Sequence, residues 1–242
     1  MGQNLPETIG ATSASVLRWW HDAGVGVLVD EAPRAWLKCS PPLRPPAERH
    51  ILAEMPVQTL PASLDALVDW VMTDPNLPEG GPVSRRVRPS GSLASGLMVL
   101  IDMPEVDDAN SGTLLSGAFS ALFEKMLSAL GQDRSSIYLA SMTPGRTPTG
   151  RIGADALERL GEIARAHVRL AAPRKLWVMG SAASRAILGM DDVSAHGSLH
   201  AINLDGCKVD AIATAHPRTL DSKERKARAW ANMQLLIDKD HA

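Results

Sequence analysis

The chain has 242 residues, 45% of them hydrophobic, a formal net charge of -2 and two cysteines, Cys39 and Cys207. That length suits one large domain, or a domain with an extension. The composition excludes a disulfide framework, a cysteine metal cluster and a basic field over the whole surface, so any nucleic acid must be met by a local patch. No apolar run approaches the roughly 20 residues of a membrane span, and the opening MGQNLPETIG lacks the basic-then-apolar pattern of an export signal. A cytoplasmic protein with reduced thiols is the expectation.

Residues 1 to 10 read as frayed. A helix is expected from about Thr12, where Val16, Trp19 and Trp20 recur before Ala23-Gly24. A strand-like VGVLVDEAP follows, and Pro41 to Pro46 read as an extended linker. Trp19, Trp20 and Trp36 suit core or docking positions in a small N-terminal region, with base stacking as the alternative. LPASLDALVDWVMTD is a helix capped by Ser63, with Leu64, Leu67, Val68 and Val71 as its apolar stripe. Asn76 to Ser92 reads as a second linker, whose Arg85, Arg86 and Arg88 are either solvated or an arm that contacts phosphate.

From Gly96 the punctuation becomes regular. Leu97 to Ile101 is an unbroken apolar run, the pattern of a strand covered on both faces. It ends in Asp102 and Pro104, and an acidic loop runs from Glu105 to Gly112. Phe119, Leu122, Phe123, Met126, Leu127 and Leu130 then recur at helical spacing, with Gly131 as the stop. Ser135 to Met142 reads as the second strand, ADALERLGEIARAHVRLA as a long amphipathic helix, and PRKLWVMG as the third strand. SAASRAILG is a helix opened by Ser181 and closed by Gly189. A looser region spans Met190 to Cys207, VDAIATAHP is the fourth strand, and SKERKARAWANMQLLIDK is the closing helix, basic in its first half.

Strands alternating with helices predict an α/β fold. The expected form is a three-layer sandwich with a central, mostly parallel four-stranded sheet flanked by helices. The expected division is 1–92, a helical and proline-rich extension, and 93–242, the α/β domain.

Parallel strands collect their carboxyl ends on one edge, where open α/β sheets bind ligands. That edge carries Asp102 and Pro104, Ser141 to Pro144, Gly180-Ser181 and His216-Pro217-Arg218. A carboxylate there can position water or stabilise a cation, and a histidine can meet a developing anion or move a proton. The GSAAS turn offers free backbone N–H groups to phosphate. Each feature also has a plain reading: a turn cap at Asp102, a strand-end turn at His216, and a capped helix start at Ser181. G-x-S-x-G, G-x-G-x-x-G and Walker A patterns are missing.

Six segments, in order and spacing, resemble the uracil-DNA glycosylase superfamily over Gly96 to Leu236, its family-four-like branch above all. Ile101-Asp102-Met103-Pro104-Glu105 is similar to that family's G-E-x-P-G, and Gly112 to Gly117 to its G-x-P-F-V-G. Tyr138 to Ser141 resembles Y-I-T-N, and Gly145 to Thr149 resembles N-R-T-P-T. Pro173 to Gly189 closely matches P-K-x-I-x-x-L-G-x-x-A-x-x-x-L-L-G, and His216 to Leu220 resembles H-P-S-x-L.

The resemblance implies a DNA partner, an extruded base, and hydrolysis of the N-glycosidic bond of uracil or another deaminated or damaged base in base-excision repair. It places Asp102 and His216 in the catalytic positions, and Pro104, Leu115 and Ser141 in the base pocket. Ser181, Arg218, Lys223 and Arg225 would meet DNA. The pocket departs from the family pattern: Asp102 stands for Glu, Leu115 for the stacking Phe, Ser141 for the edge-reading Asn, and Glu105 for Gly. Two cysteines cannot supply the four that an iron–sulfur cluster needs, so neither cofactor nor metal is expected. The alternative is a catalytically inactive glycosylase fold used for DNA binding or partner docking. An unrelated α/β hydrolase or nucleotide-binding protein is the third reading. A monomer is expected, without membrane contact.

Overall fold

The computed structural model of the protein describes residues 5–23 and 60–237. The chain divides into two compact units, Met1–Val57 and Gln58–Ala242. The expected boundary at 92 is the end of the second linker, Asn76 to Ser92.

In the first unit, α1 (Leu5–Asp22) begins well before Thr12. Residues 5–10, expected to be frayed, are helical. Val16, Leu17, Trp19 and Trp20 are exposed. Trp36, Cys39, the strand-like 25–33 and the proline-rich 41–46 lie outside the described residues.

The second unit opens with α2 (Leu64–Thr73), where the Ser63 hydroxyl accepts from the Ala66 N–H at 3.3 Å. Its buried Leu67 clusters with Ile163 and Ala166 of α5 (Ala154–Ala171). This helix therefore packs on the α/β body.

The sheet is six-stranded and mixed, in the order β1-β3-β2-β4-β6-β5. The expected four-stranded, mostly parallel sheet is corrected at both edges. Its centre is β2 (Leu97–Ile101), β3 (Tyr138–Ser141), β4 (Lys175–Met179) and β6 (Cys207–Thr214), all parallel. The edges are β1 (Ser90–Gly91) and β5 (His200–Leu204), both antiparallel. β1 is two residues long and sits in an arginine- and glycine-rich stretch that carries no strand pattern. β5 pairs with β6 through the two-residue loop Asp205-Gly206, with φ of 49° and 93°. Positive φ at both positions is what a type I′ hairpin requires, and Asp-Gly is its strongest sequence signal.

The unbroken apolar run of β2 is explained by burial on both faces. Leu97, Val99 and Ile101 enter one core with α4 (Ser120–Ala129) and α8 (Lys223–Ile237), through Phe123, Leu127, Met233 and Leu236. Met98 and Leu100 enter the other with α5 and α6 (Ser181–Leu188), through Leu160, Val168, Ala183 and Ile187. Each such large side chain contributes about 1.5–3 kcal/mol when fully buried. Asn232 of α8 joins two neighbours: its amide donates to the Ala213 carbonyl at 3.2 Å, and its oxygen accepts from Gly197 N–H at 3.0 Å.

Candidate functional site

β2 delivers Asp102 to the carboxyl edge of the sheet, where the side chain is buried. Its Oδ1 accepts from the Ala183 N–H at 2.7 Å, in the first turn of α6. The free N–H groups and the dipole of a helix start favour a carboxylate there. Gly180 makes the approach possible: a Cβ at this position, where φ is 109°, would fall 2.3 Å from Asp102 Oδ2. That oxygen lies 3.7 Å from Arg218 Nη2.

Beyond Pro104 the chain folds around one carboxylate that sequence reading passed over. Asp108 begins the short α3 (Asp108–Ser111) and is fully buried. It accepts from the N–H groups of Glu105, Leu115 and Ser116 at 2.8 Å each, and from the Ser116 hydroxyl at 2.9 Å. Leu115 takes the left-handed conformation, φ 53°, and its side chain joins the core beside Phe123. Arg134 fixes this bend by donating to the Leu114 and Leu115 carbonyls at 2.8 and 2.6 Å.

This loop turns Glu105 inward, leaving its side chain 10% exposed. Its Oε1 lies 3.2 Å from Arg218 Nη1 and 3.5 Å from His216 Nε2, and its Oε2 lies 3.4 Å from Arg146 Nη1. Arg146 also donates to the Pro104 carbonyl at 3.0 Å. His216 Nδ1 accepts from the Arg218 N–H at 3.2 Å. The neutral ring therefore carries its proton on Nε2, facing Glu105. Burial, then the Arg218 and Arg146 guanidiniums, push the imidazole pKa down to about 3. The Glu105 carboxylate does not reverse this, because both guanidiniums share its charge.

Above these groups opens a cleft of about 380 Å³, lined by Arg85, Pro104, Glu105, Arg146 and Thr147 among others. Of the expected catalytic and pocket residues, His216 lies directly against Glu105, Asp102 connects to it through Arg218, and Pro104 lines the cleft. Leu115 does not reach the cleft, because it is core. Ser141 lines a separate small cavity with Leu67, Val87, Met142 and His167.

Of the residues expected to meet DNA, Arg218 is turned inward onto Glu105 and Asp102. Ser181 is half-buried at the start of α6, within 3.4 Å of Arg185 Nη2. Lys223 and Arg225 are exposed at the start of α8, where Arg225 also reaches the Thr219 carbonyl and Asp221. Glu105 and Arg146 were visible only as motif positions. The signal that joins them is tertiary, since Arg146 and Arg218 lie 41 and 113 residues away from Glu105.

Two carboxylates, two guanidiniums and a neutral imidazole thus share one patch whose charges balance. Such a patch can donate hydrogen bonds to an oxygen anion, but Glu105 already draws on the donors. Among the described residues no group of three or more His, Cys, Asp or Glu side chains is placed to hold a metal ion. With Cys207 as the one described cysteine, the donor set does not fit an iron–sulfur cluster. Among the same residues no helix is long and apolar enough to cross a membrane.

The family profile described as the Uracil DNA glycosylase superfamily matches residues 89–236, from the β1 edge into α8. A comparison with curated proteins finds no match. With more than half of its length inside that profile, and with the strand-end aspartate and His-Pro turn of the motif segments on one sheet edge, the chain belongs to the uracil DNA glycosylase superfamily.

Proposed function

We propose that residues 93–242 bind DNA with the glycosylase fold, as a single chain, from a pocket rewritten so that uracil hydrolysis is no longer its work. One observation carries this reading: the Glu105 carboxylate lies against His216, Arg146 and Arg218, where the anionic leaving base would need the donors. Asp102 supports it, since its Oδ1 serves the α6 start. DNA contact is assigned to the exposed start of α8, Lys223, Arg225 and Lys226, and to Arg85 at the cleft. The motif pattern favours descent from the family-four-like branch without its cluster.

A second reading is hydrolysis of a different deaminated or damaged base, as a DNA-repair N-glycosylase. A specific observation favours it: His216 Nε2 lies 3.5 Å from Glu105, which lines the cleft, and Asp102 lies 3.7 Å from the Arg218 that also meets Glu105. Labelled single- and double-stranded oligonucleotides carrying uracil, hypoxanthine or xanthine, followed by alkali, separate the two. Salt-sensitive binding without strand breaks is the expected result. Cleavage lost in both Asp102→Ala and His216→Ala would establish the enzyme instead. Absence of DNA binding at low salt would sink both.

A further inference from the structure

We infer that Arg146, His216 and Arg218 form an oxyanion site that the chain fills with its own Glu105 carboxylate, and that removing this carboxylate opens the site to an external oxyanion. The inference rests on reading Glu105 as an occupant of the pocket, and it adds the ligand class that the pocket would accept.

Three separate segments supply the donors: the loop after β3, the end of β6 and the turn Pro217–Thr219. Arg218 and Arg146 donate to one carboxylate at 3.2 and 3.4 Å, and His216 Nε2 lies 3.5 Å from it without bonding. Charge-assisted hydrogen bonds are normally about 2.7–2.9 Å. Glu105 is therefore held by summed charge and not by tight bonding, and a better-shaped anion can compete for the same donors. His216 supplies the second observation: it is 2% exposed, and its Nε2 has no hydrogen-bond partner. A buried donor left unsatisfied costs about 1–3 kcal/mol, so an oxygen that met this N–H would be favoured. Glu105 also lines the cleft, so the vacated volume is continuous with solvent.

The shared ligand chemistry is a small oxyanion, which a DNA phosphate or the anionic oxygen of a base can provide. Isothermal titration of inorganic phosphate into the full native chain, Glu105→Ala and Glu105→Gln tests the site. The native chain is expected to show at least tenfold weaker binding than Glu105→Ala. Glu105→Gln, which keeps the volume and loses the charge, is expected to fall between them. Adding His216→Ala or Arg146→Ala to Glu105→Ala is expected to remove the gain.

Two single-stranded oligonucleotides, one with uracil and one with a tetrahydrofuran abasic analogue, identify the source. Tightening of the uracil strand alone assigns the site to a base oxygen, and equal tightening of both assigns it to the backbone. A folded Glu105→Ala, by circular dichroism and melting, that binds phosphate no better than the native chain overturns the inference. If Glu105→Ala does not fold, equal affinity of Glu105→Gln and the native chain overturns it. DNA binding or excision by the native chain is scored separately, so the function reading and the anion site fail independently.

Discussion

Asp108 organises the site without belonging to its motif. One fully buried carboxylate receives three backbone N–H groups and a hydroxyl, and this ties Glu105, Leu115 and Ser116 to one bend. Asp108→Ala would leave these donors unsatisfied. A loss of about 3 kcal/mol in urea unfolding is expected, together with a disordered Glu105 loop. Gly180 is as constrained. Gly180→Ala puts a methyl group 2.3 Å from Asp102 at a φ of 109°, so a cost of about 2 kcal/mol or more and displacement of Asp102 are expected, measured by thermal unfolding. Strand-end residues such as Asp102 and His216 were legible because an apolar run announces its own end. Asp108 was not, since its partners reach it only through the left-handed turn at Leu115.

At the scale of elements, the arginines of Asn76 to Ser92 looked equivalent in sequence and are not. Arg86 is buried and donates to the carbonyls of Val71, Gly80 and Gly81 at 2.7, 3.1 and 3.3 Å, which fixes one rim of the cleft. Arg88 makes an exposed pair with Asp69 at 2.6 Å, a contact of about 1 kcal/mol at most. Arg85 is exposed at the cleft. Arg86→Ala is therefore expected to cost about 3 kcal/mol in chemical denaturation, while Arg88→Ala is near neutral. The start of α8 is predicted to act through charge alone. Lys223, Arg225 and Lys226 replaced together by alanine should weaken DNA binding at every sequence and reduce the salt slope by about 2 to 3, read from affinity against salt concentration. The β5–β6 hairpin was legible in Asp205-Gly206 and was overlooked, because β5 itself alternates weakly between half-buried and exposed positions.

For the whole molecule, two buried histidines tie stability to pH. Burial lowers the His167 pKa to about 4, and burial with two guanidiniums lowers that of His216 to about 3. Tyr138, whose hydroxyl lies 2.9 Å from His167 Nε2, is pushed up to about 12, chiefly by burial. Below the ordinary histidine value the unfolded chain binds protons that the folded chain refuses. Stability is thus fully present above about pH 6.5 and is lost as pH falls toward 4, by up to about 1.4 kcal/mol per pH unit for each group. Melting temperature measured from pH 7 to pH 4 should fall monotonically, and His167→Gln should flatten the fall. A flat native profile would contradict the assigned burial.

The sequence by itself determined the layered α/β class, the parallel centre of the sheet and the superfamily, because periodicity and motif spacing are local properties repeated in order along the chain. It also put Asp102 and His216 at strand ends. What the tertiary structure decided is where the charges go. Long-range convergence placed Glu105 between Arg146 and Arg218, paired Arg218 with Glu105 and Asp102, and sent Leu115 into the core. Those outcomes depend on which side chains a fold brings within a few ångströms across a hundred residues, and no spacing along the chain encodes that.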